Sequence, residues 1–312
     1  MSEISIITGN ANPKLATEIC DQLGINLTEA LVSRFSEGEI RVKVEGNVRG
    51  KDVFIVQSTC RPVNDNFMEL LILIDAVKRA SARRVTAVIP YYGYARQDRK
   101  DQPRVPITAK LVANLITSAG ASRVLTMDLH ASQIQGFFDI PVDHLYAINT
   151  ICEYFLDKQF KDLVIVSPDV GGIRMARAYA RKLSAGLAIV DKRRDSPEKT
   201  EVMHILGEVK DKNVVLVDDI IATGSSLMEA IEELKRRGAR DVYAAVSHGV
   251  LSGDALVKIQ NSKSLKEVVI TNSIPLPDPE KNPKVQTLSI APLLAEAIKR
   301  IHDEKSISCL FF

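Results

Sequence analysis

Short apolar runs rich in β-branched residues alternate with longer amphipathic segments along nearly the whole chain. Residues 4–7, 53–56, 85–89 and 124–127 have the brevity and polar boundaries of buried strands, whereas residues 13–23, 65–80 and 107–119 carry apolar positions at helical spacing. The same rhythm resumes with strand-like runs at 163–166, 187–190, 214–217, 242–246 and 268–271. A strand covered on both faces reads as a continuous apolar run rather than an alternating one. The pattern therefore predicts an α/β fold of mainly parallel sheets flanked by helices. Residues 28–45 differ: the strand-like run 31–35 and the alternating run 40–44 flank a polar turn and predict a β-hairpin flag on the first domain.

At 312 residues the chain is long for one core, and a boundary near 142–150 divides it into two architecturally similar halves. We expect two domains, residues 1–147 with the hairpin 28–45 and residues 148–312. No residue-by-residue repeat relates them. Residues 275–283, rich in proline and charge, predict a surface loop before a final helix at 291–302, which could pack on either domain.

Composition narrows the function classes. Apolar residues make up 46% and charged residues 26%, the balance of a globular protein. Lys and Arg total 41 against 39 acidic residues, and no concentrated basic stripe points to nucleic acid. No apolar run approaches a membrane span, and no signal peptide is evident at the N-terminus. Cys20, Cys60, Cys152 and Cys309 are scattered without a CxxC pair, which argues against a zinc site or a disulfide framework and suits a reducing cytoplasm.

The most informative stretch is 214–226, VVLVDDIIATGSS. Its apolar run predicts a central strand, with Asp218 and Asp219 at the carboxyl end and a small-residue turn opening a helix. Ligands of open α/β sheets bind beyond the carboxyl ends of strands. Thr223, Gly224, Ser225 and Ser226 supply backbone N–H groups, hydroxyls and a helix N-terminus, which together attract a phosphate dianion. Asp218 and Asp219 stand where a sugar's hydroxyls would lie if its phosphate occupied that turn, and they could also hold a hydrated Mg²⁺. A strand-to-helix connection capped by Ser and Thr, with the aspartates merely solvated, is the plain alternative, but the complete strand–DD–x₃–TGSS order is far more specific than such a loop.

The stretch resembles the 5-phosphoribosyl 1-pyrophosphate (PRPP) loop shared by phosphoribosyltransferases and ribose-phosphate pyrophosphokinases, with Ala222 where many of the latter have Asp. The loop does not choose between those families. Residues 90–100 (PYYGYARQDRK), 128–144 (DLHASQIQGFFDIPVDH), 167–172 (SPDVGG) and 191–194 (DKRR) resemble pyrophosphokinase motifs in the right order. The likeness is greatest to the bacterial-type class I enzymes and covers essentially the whole chain.

That resemblance implies transfer of the diphosphate of MgATP to the anomeric hydroxyl of ribose 5-phosphate, giving PRPP and AMP for nucleotide biosynthesis. It implies ATP contacts at Phe35, Glu37, Gly38, Glu39, Arg96, Gln97 and Asp101, and metal contacts at His130 and Asp169. Ribose 5-phosphate would meet Arg194, Asp218, Asp219, Ala222, Thr223, Gly224, Ser225 and Ser226. Lys192 and Arg194, on a flag at 191–200, would stabilise the transferring diphosphate. Alternate residues of an extended strand share a face, so these two cations can act together.

The resemblance further implies a homo-oligomer, commonly a hexamer in the family, with phosphate and ADP as effectors between subunits. Matching effector positions are Arg49, Lys100, Arg104, Ser132, Gln135, Asp143, Ser306 and Phe311; Pro103 and Cys309 depart from relatives. Two other readings stand beside this one: a phosphoribosyltransferase, which would consume PRPP, and a catalytically silent regulatory relative, which would lack the flag cations.

Overall fold

The computed structural model describes residues 3–193 and 202–311. It divides into two compact units: residues up to Tyr146 with Ser273–Pro275 and those from Ser289 onward, and Ala147–Asn272 with Leu276–Leu288.

In the first unit, β1 (Ile4–Thr8) leads into α1 (Pro13–Leu23). Helix α1 starts because the Asn12 side chain accepts from Leu15 N–H and Pro13 presets the first turn; left-handed Gly24 ends it. The hairpin β2 (Ala30–Arg34) and β3 (Ile40–Val44) follows, then β4 (Asp52–Val56), α2 (Val63–Arg79), β5 (Arg84–Ile89), α3 (Thr108–Ala119), β6 (Arg123–Met127) and β7 (Val142–Leu145). The sheet has the order β1-β4-β5-β6-β7 and every pairing is parallel. All five residues of β4 are buried, and α2 lays Phe67, Leu70, Leu73, Ile74 and Val77 on the core. Each such side chain contributes roughly 1.5–3 kcal/mol on burial.

The second unit holds α4 (Ile148–Asp157), β8 (Leu163–Ser167), α5 (Ile173–Lys182), β9 (Gly186–Arg193), β10 (Val202–Leu206), β11 (Asn213–Ile221), α6 (Ser225–Arg236), β12 (Asp241–Gly249), α7 (Ala255–Asn261), β13 (Leu265–Thr271) and β14 (Val285–Leu288). Its order is β10-β9-β8-β11-β12-β13-β14, parallel except for β10, which runs antiparallel to β9. The last helix, α8 (Ala291–His302), belongs to the first unit and packs on α1.

The fold is thus the expected α/β architecture of mainly parallel sheets flanked by helices, with the hairpin as a separate two-stranded sheet. Three strands lie where the apolar pattern is silent. Strand β7 contains Asp143 and His144, but Arg123 of β6 neutralises the first at 2.6 Å and Leu129 N–H donates to the second. Strands β10 and β14 are short edges, where alternation is weak. Strand β11 also runs past the two aspartates to Ile221, so they lie within its last turns of pleat rather than after it.

Candidate active site

Every segment singled out from the sequence for chemistry other than the hairpin and the effector positions follows, or ends, a strand at its carboxyl end. In the second unit, β11 is buried from Asn213 to Val217 and half-buried over Asp218–Ile220, so the sheet delivers two carboxylates at the edge of its core. Gly224 adopts φ +72°, a left-handed conformation that favours glycine, and the chain turns there into α6. Met228 N–H makes the first helical bond to Gly224 O at 2.9 Å, and no side chain caps this end. The N–H groups of the first turn therefore point at whatever ligand occupies it. Ser225 and Ser226 are exposed there, as is Thr223.

The turn rests on the segment after β12. Leu251 N–H donates to Ile221 O and Ser252 N–H to Ala222 O, both at 3.0 Å. From α7, Lys258 Nζ donates to Ser225 Oγ at 2.9 Å and lies 3.4 Å from Thr223 O. Asp254 pairs with the same ammonium at 2.9 Å.

Asp169 follows β8. Its Oδ1 accepts from Gly172 N–H at 2.9 Å, and Ser167 Oγ donates to its carbonyl at 2.7 Å. A Cβ on Gly172 would meet Ser167 Oγ at 2.7 Å, so a side chain there would displace that hydroxyl. Burial pushes the Asp218 carboxyl up to about 8, and the negative charges of Asp219 and Asp169 push the same way. Asp219 N–H, 2.9 Å from Asp218 Oδ1, only partly offsets this. The site thus gathers Asp169, Asp218 and Asp219 into one field of like charge. Lys192 lies in β9, where Met203 of β10 faces it in register. Arg194 and most of the 191–200 flag lie outside the described residues.

In the first unit, the hairpin carries Phe35, Glu37, Gly38 and Glu39 on its exposed tip. Arg41 stands over the Phe35 ring, 5.6 Å from its centroid, and Arg34 Nη1 donates to Gly38 O at 3.2 Å. The hairpin is held from below by a polar network. Asn10 Nδ2 donates to Val32 O at 3.3 Å and to Glu69 Oε1 at 2.9 Å. Asn10 N–H and Gln57 Nε2 both donate to Glu69 Oε2, at 2.9 and 2.8 Å.

Arg96, Gln97 and Asp101 lie on the exposed loop after β5, where Gln97 is joined to Thr108 at the start of α3. His130, also exposed, follows β6. Gln133 Nε2 donates to Asp98 at 3.3 Å, linking these two loops. Among the effector positions, Gln135 lies 3.2 Å from His144, Asp143 pairs with Arg123, and Phe311 makes an edge contact with Tyr146, whose ring lies 4.5 Å from His144. Ser306 meets Ser308 at 2.9 Å. Asp143 lines a cavity of about 430 Å³ with Arg84, Arg123, Ile301, Glu304, Lys305 and Ile307. Arg49, Lys100, Arg104 and Ser132 are exposed.

Sequence reasoning passed over Lys258, His144 and the Asn10–Gln57–Glu69 network. The Asp254–Lys258 spacing was a helical ion-pair signal. Nothing local marked Asn10 or Glu69, which are 59 positions apart.

The chain matches two family models: the N-terminal domain of ribose phosphate pyrophosphokinase over residues 4–120, and the phosphoribosyl synthetase-associated domain over residues 194–312. It is 57% identical over 311 residues to the ribose-phosphate pyrophosphokinase of Caldanaerobacter subterraneus subsp. tengcongensis, covering 99% of this chain and 98% of that one. The enzyme of the same name from Bacillus caldolyticus is 55% identical over 309 residues, with the same coverage. Among solved structures, the phosphoribosylpyrophosphate synthetase of Mycobacterium smegmatis superposes with a TM-score of 0.91 at 40% identity, covering 97% of this chain and all of that one.

Proposed function

The chain belongs to the ribose-phosphate pyrophosphokinase family, and from that premise we propose a role for each part of its site. The enzyme transfers the diphosphate of ATP to the anomeric hydroxyl of ribose 5-phosphate, producing PRPP and AMP for nucleotide biosynthesis. The anomeric oxygen bonds to the β-phosphorus, the bond from that phosphorus to the α–β bridging oxygen breaks, and AMP leaves with the electron pair. The hydroxyl proton passes to solvent.

One observation carries the placement of the sugar: a left-handed Gly224 opens an uncapped helix directly after the half-buried pair Asp218 and Asp219. Thr223–Ser226 bind the 5-phosphate through backbone N–H groups and hydroxyls, with Ala222 contributing backbone alone. Asp218 and Asp219 accept from the ribose hydroxyls. Phe35 stacks on adenine, Glu37 and Glu39 accept from its exocyclic amine, and Arg96, Gln97 and Asp101 hold ATP. Lys192 and Arg194 stabilise the diphosphate as its charge shifts.

Mg²⁺ fits the second unit's chemistry, because the charges of Asp219 and Asp169 bear on the buried Asp218 and a hard, oxygen-seeking cation would relieve them. Among the described residues no three metal-binding side chains form a ready cage, so substrate oxygens and water would complete the coordination. Asp169 in this unit and His130 in the other are the residues we assign to metal. Bound with ATP, the ion would neutralise phosphate charge.

No helix among the described residues is long and apolar enough to cross a membrane. We place the enzyme in the cytoplasm, as a homo-oligomer of hexameric type that responds to phosphate and ADP. AMP release from ATP and ribose 5-phosphate, measured with and without inorganic phosphate, tests both levels. Absence of AMP overturns the site roles, and a flat phosphate response overturns the effector reading.

A further inference from the structure

We propose that Lys258 is the cation that makes the 223–226 turn selective for a phosphorylated pentose. The inference rests on reading that turn as the 5-phosphate cradle.

The cradle has a charge problem of its own. Residues 218–226 contain two aspartates and no Lys or Arg, yet the ligand group is a dianion. Backbone N–H groups and a helix terminus supply only partial charges. A full positive charge must come from another element, and α7 brings one.

Lys258 Nζ lies 2.9 Å from Ser225 Oγ, at the first position of α6. Because Ser225 Oγ accepts from the ammonium, its own proton is available to a phosphate oxygen. The ammonium has three donors. Ser225 and Asp254, both at 2.9 Å, take two, while Thr223 O, at 3.4 Å, is the longest contact and the easiest to exchange for a phosphate oxygen.

The helix that carries Lys258 is seated on the turn. Ser252 N–H donates to Ala222 O, and Ala255 Cβ lies 3.7 Å from where a Cβ on Gly224 would stand. Asp254 pre-aligns the lysine stem one turn away; as an exposed pair in water it is weak enough to yield to a dianion. Lys258 is therefore a positioning residue for Ser225 and a direct charge partner for the ligand.

Steady-state AMP release with Lys258→Met, Lys258→Arg and Thr223→Val separates the possibilities. We expect Lys258→Met to raise KM for ribose 5-phosphate roughly 10- to 50-fold, the effect of losing a charge-assisted contact. That change should exceed any change in kcat or in KM for ATP at least fivefold. Lys258→Arg should recover most of it, and the KM of Lys258→Met should lose most of its rise with salt. Asp254→Asn, which frees the ammonium, should leave KM for ribose 5-phosphate equal or lower. If Thr223→Val raises that KM while Lys258→Met does not, the lysine has no such role and the cradle stands. If neither changes it, the cradle reading fails and the proposal with it. Equal loss in all parameters, without rescue by Arg, would mark Lys258 as merely structural and overturn the inference.

Discussion

The backbone N–H of Leu129 donates to Nε2 of His144 across 2.9 Å, tying the residue before His130 to strand β7. That ring nitrogen accepts and so carries no proton in this contact, while Nδ1 lies 3.2 Å from Gln135 Nε2. Leu129 is buried, and its N–H would lose its acceptor if the imidazole were removed. His144→Phe should cost about 1–3 kcal/mol for an orphaned buried donor. We expect a lower Tm together with a higher Mg²⁺ concentration for half-maximal AMP release. A normal Mg²⁺ titration in a destabilised variant would separate His144 from the placement of His130.

Asp218 gives a pH-dependent prediction. In the unfolded chain its carboxyl ionises near 3.8; in the folded protein burial and the neighbouring carboxylates hold its proton to about 8. Folding therefore carries a penalty that is absent below about pH 4, grows through about pH 8 and is constant above. Asp218→Asn removes it. In the ligand-free protein, the Tm advantage of that variant should widen from pH 5 to pH 8 and then level off, while affinity for ribose 5-phosphate falls. Thermal melts across pH, with and without Mg²⁺, check this; added Mg²⁺ should narrow the advantage by neutralising the site.

Lys192→Ala should reduce kcat by about 100-fold or more, the scale of losing a transition-state charge contact, while KM for ribose 5-phosphate changes less than about threefold. Initial-rate kinetics with both substrates varied would show it. Unchanged turnover would remove Lys192 from the diphosphate site.

Asn10→Ala removes donors to both Val32 O and Glu69 Oε1. Amide exchange across β2 and β3 should accelerate, because their tie to the buried Glu69 is lost. KM for ATP should rise several-fold with KM for ribose 5-phosphate unchanged. Equal protection in variant and parent would show that the Asn10 tie does not hold the hairpin.

Much of the fold was legible in the sequence because short, β-branched apolar runs such as 53–56 and 214–217, bounded by polar residues, suit a strand covered on both faces. Strand β7 escaped notice because Asp143 and His144 are polar when taken alone and become acceptable only beside Arg123 and Leu129 N–H. The strand-to-helix turn at 223–226 was equally legible, since it is contiguous and its glycine and hydroxyls act locally.

By itself, then, the sequence determined the strand–helix rhythm, the hairpin and the loop at 214–226, all of which depend on neighbours along the chain. Tertiary structure alone decided that α8 packs on α1, that Glu69 anchors the hairpin through Asn10, and that Lys258 stands over Ser225. Those pairs are tens to hundreds of positions apart, and no local propensity encodes them. They exist because parallel strands force crossovers that carry distant residues to the same edge of a sheet.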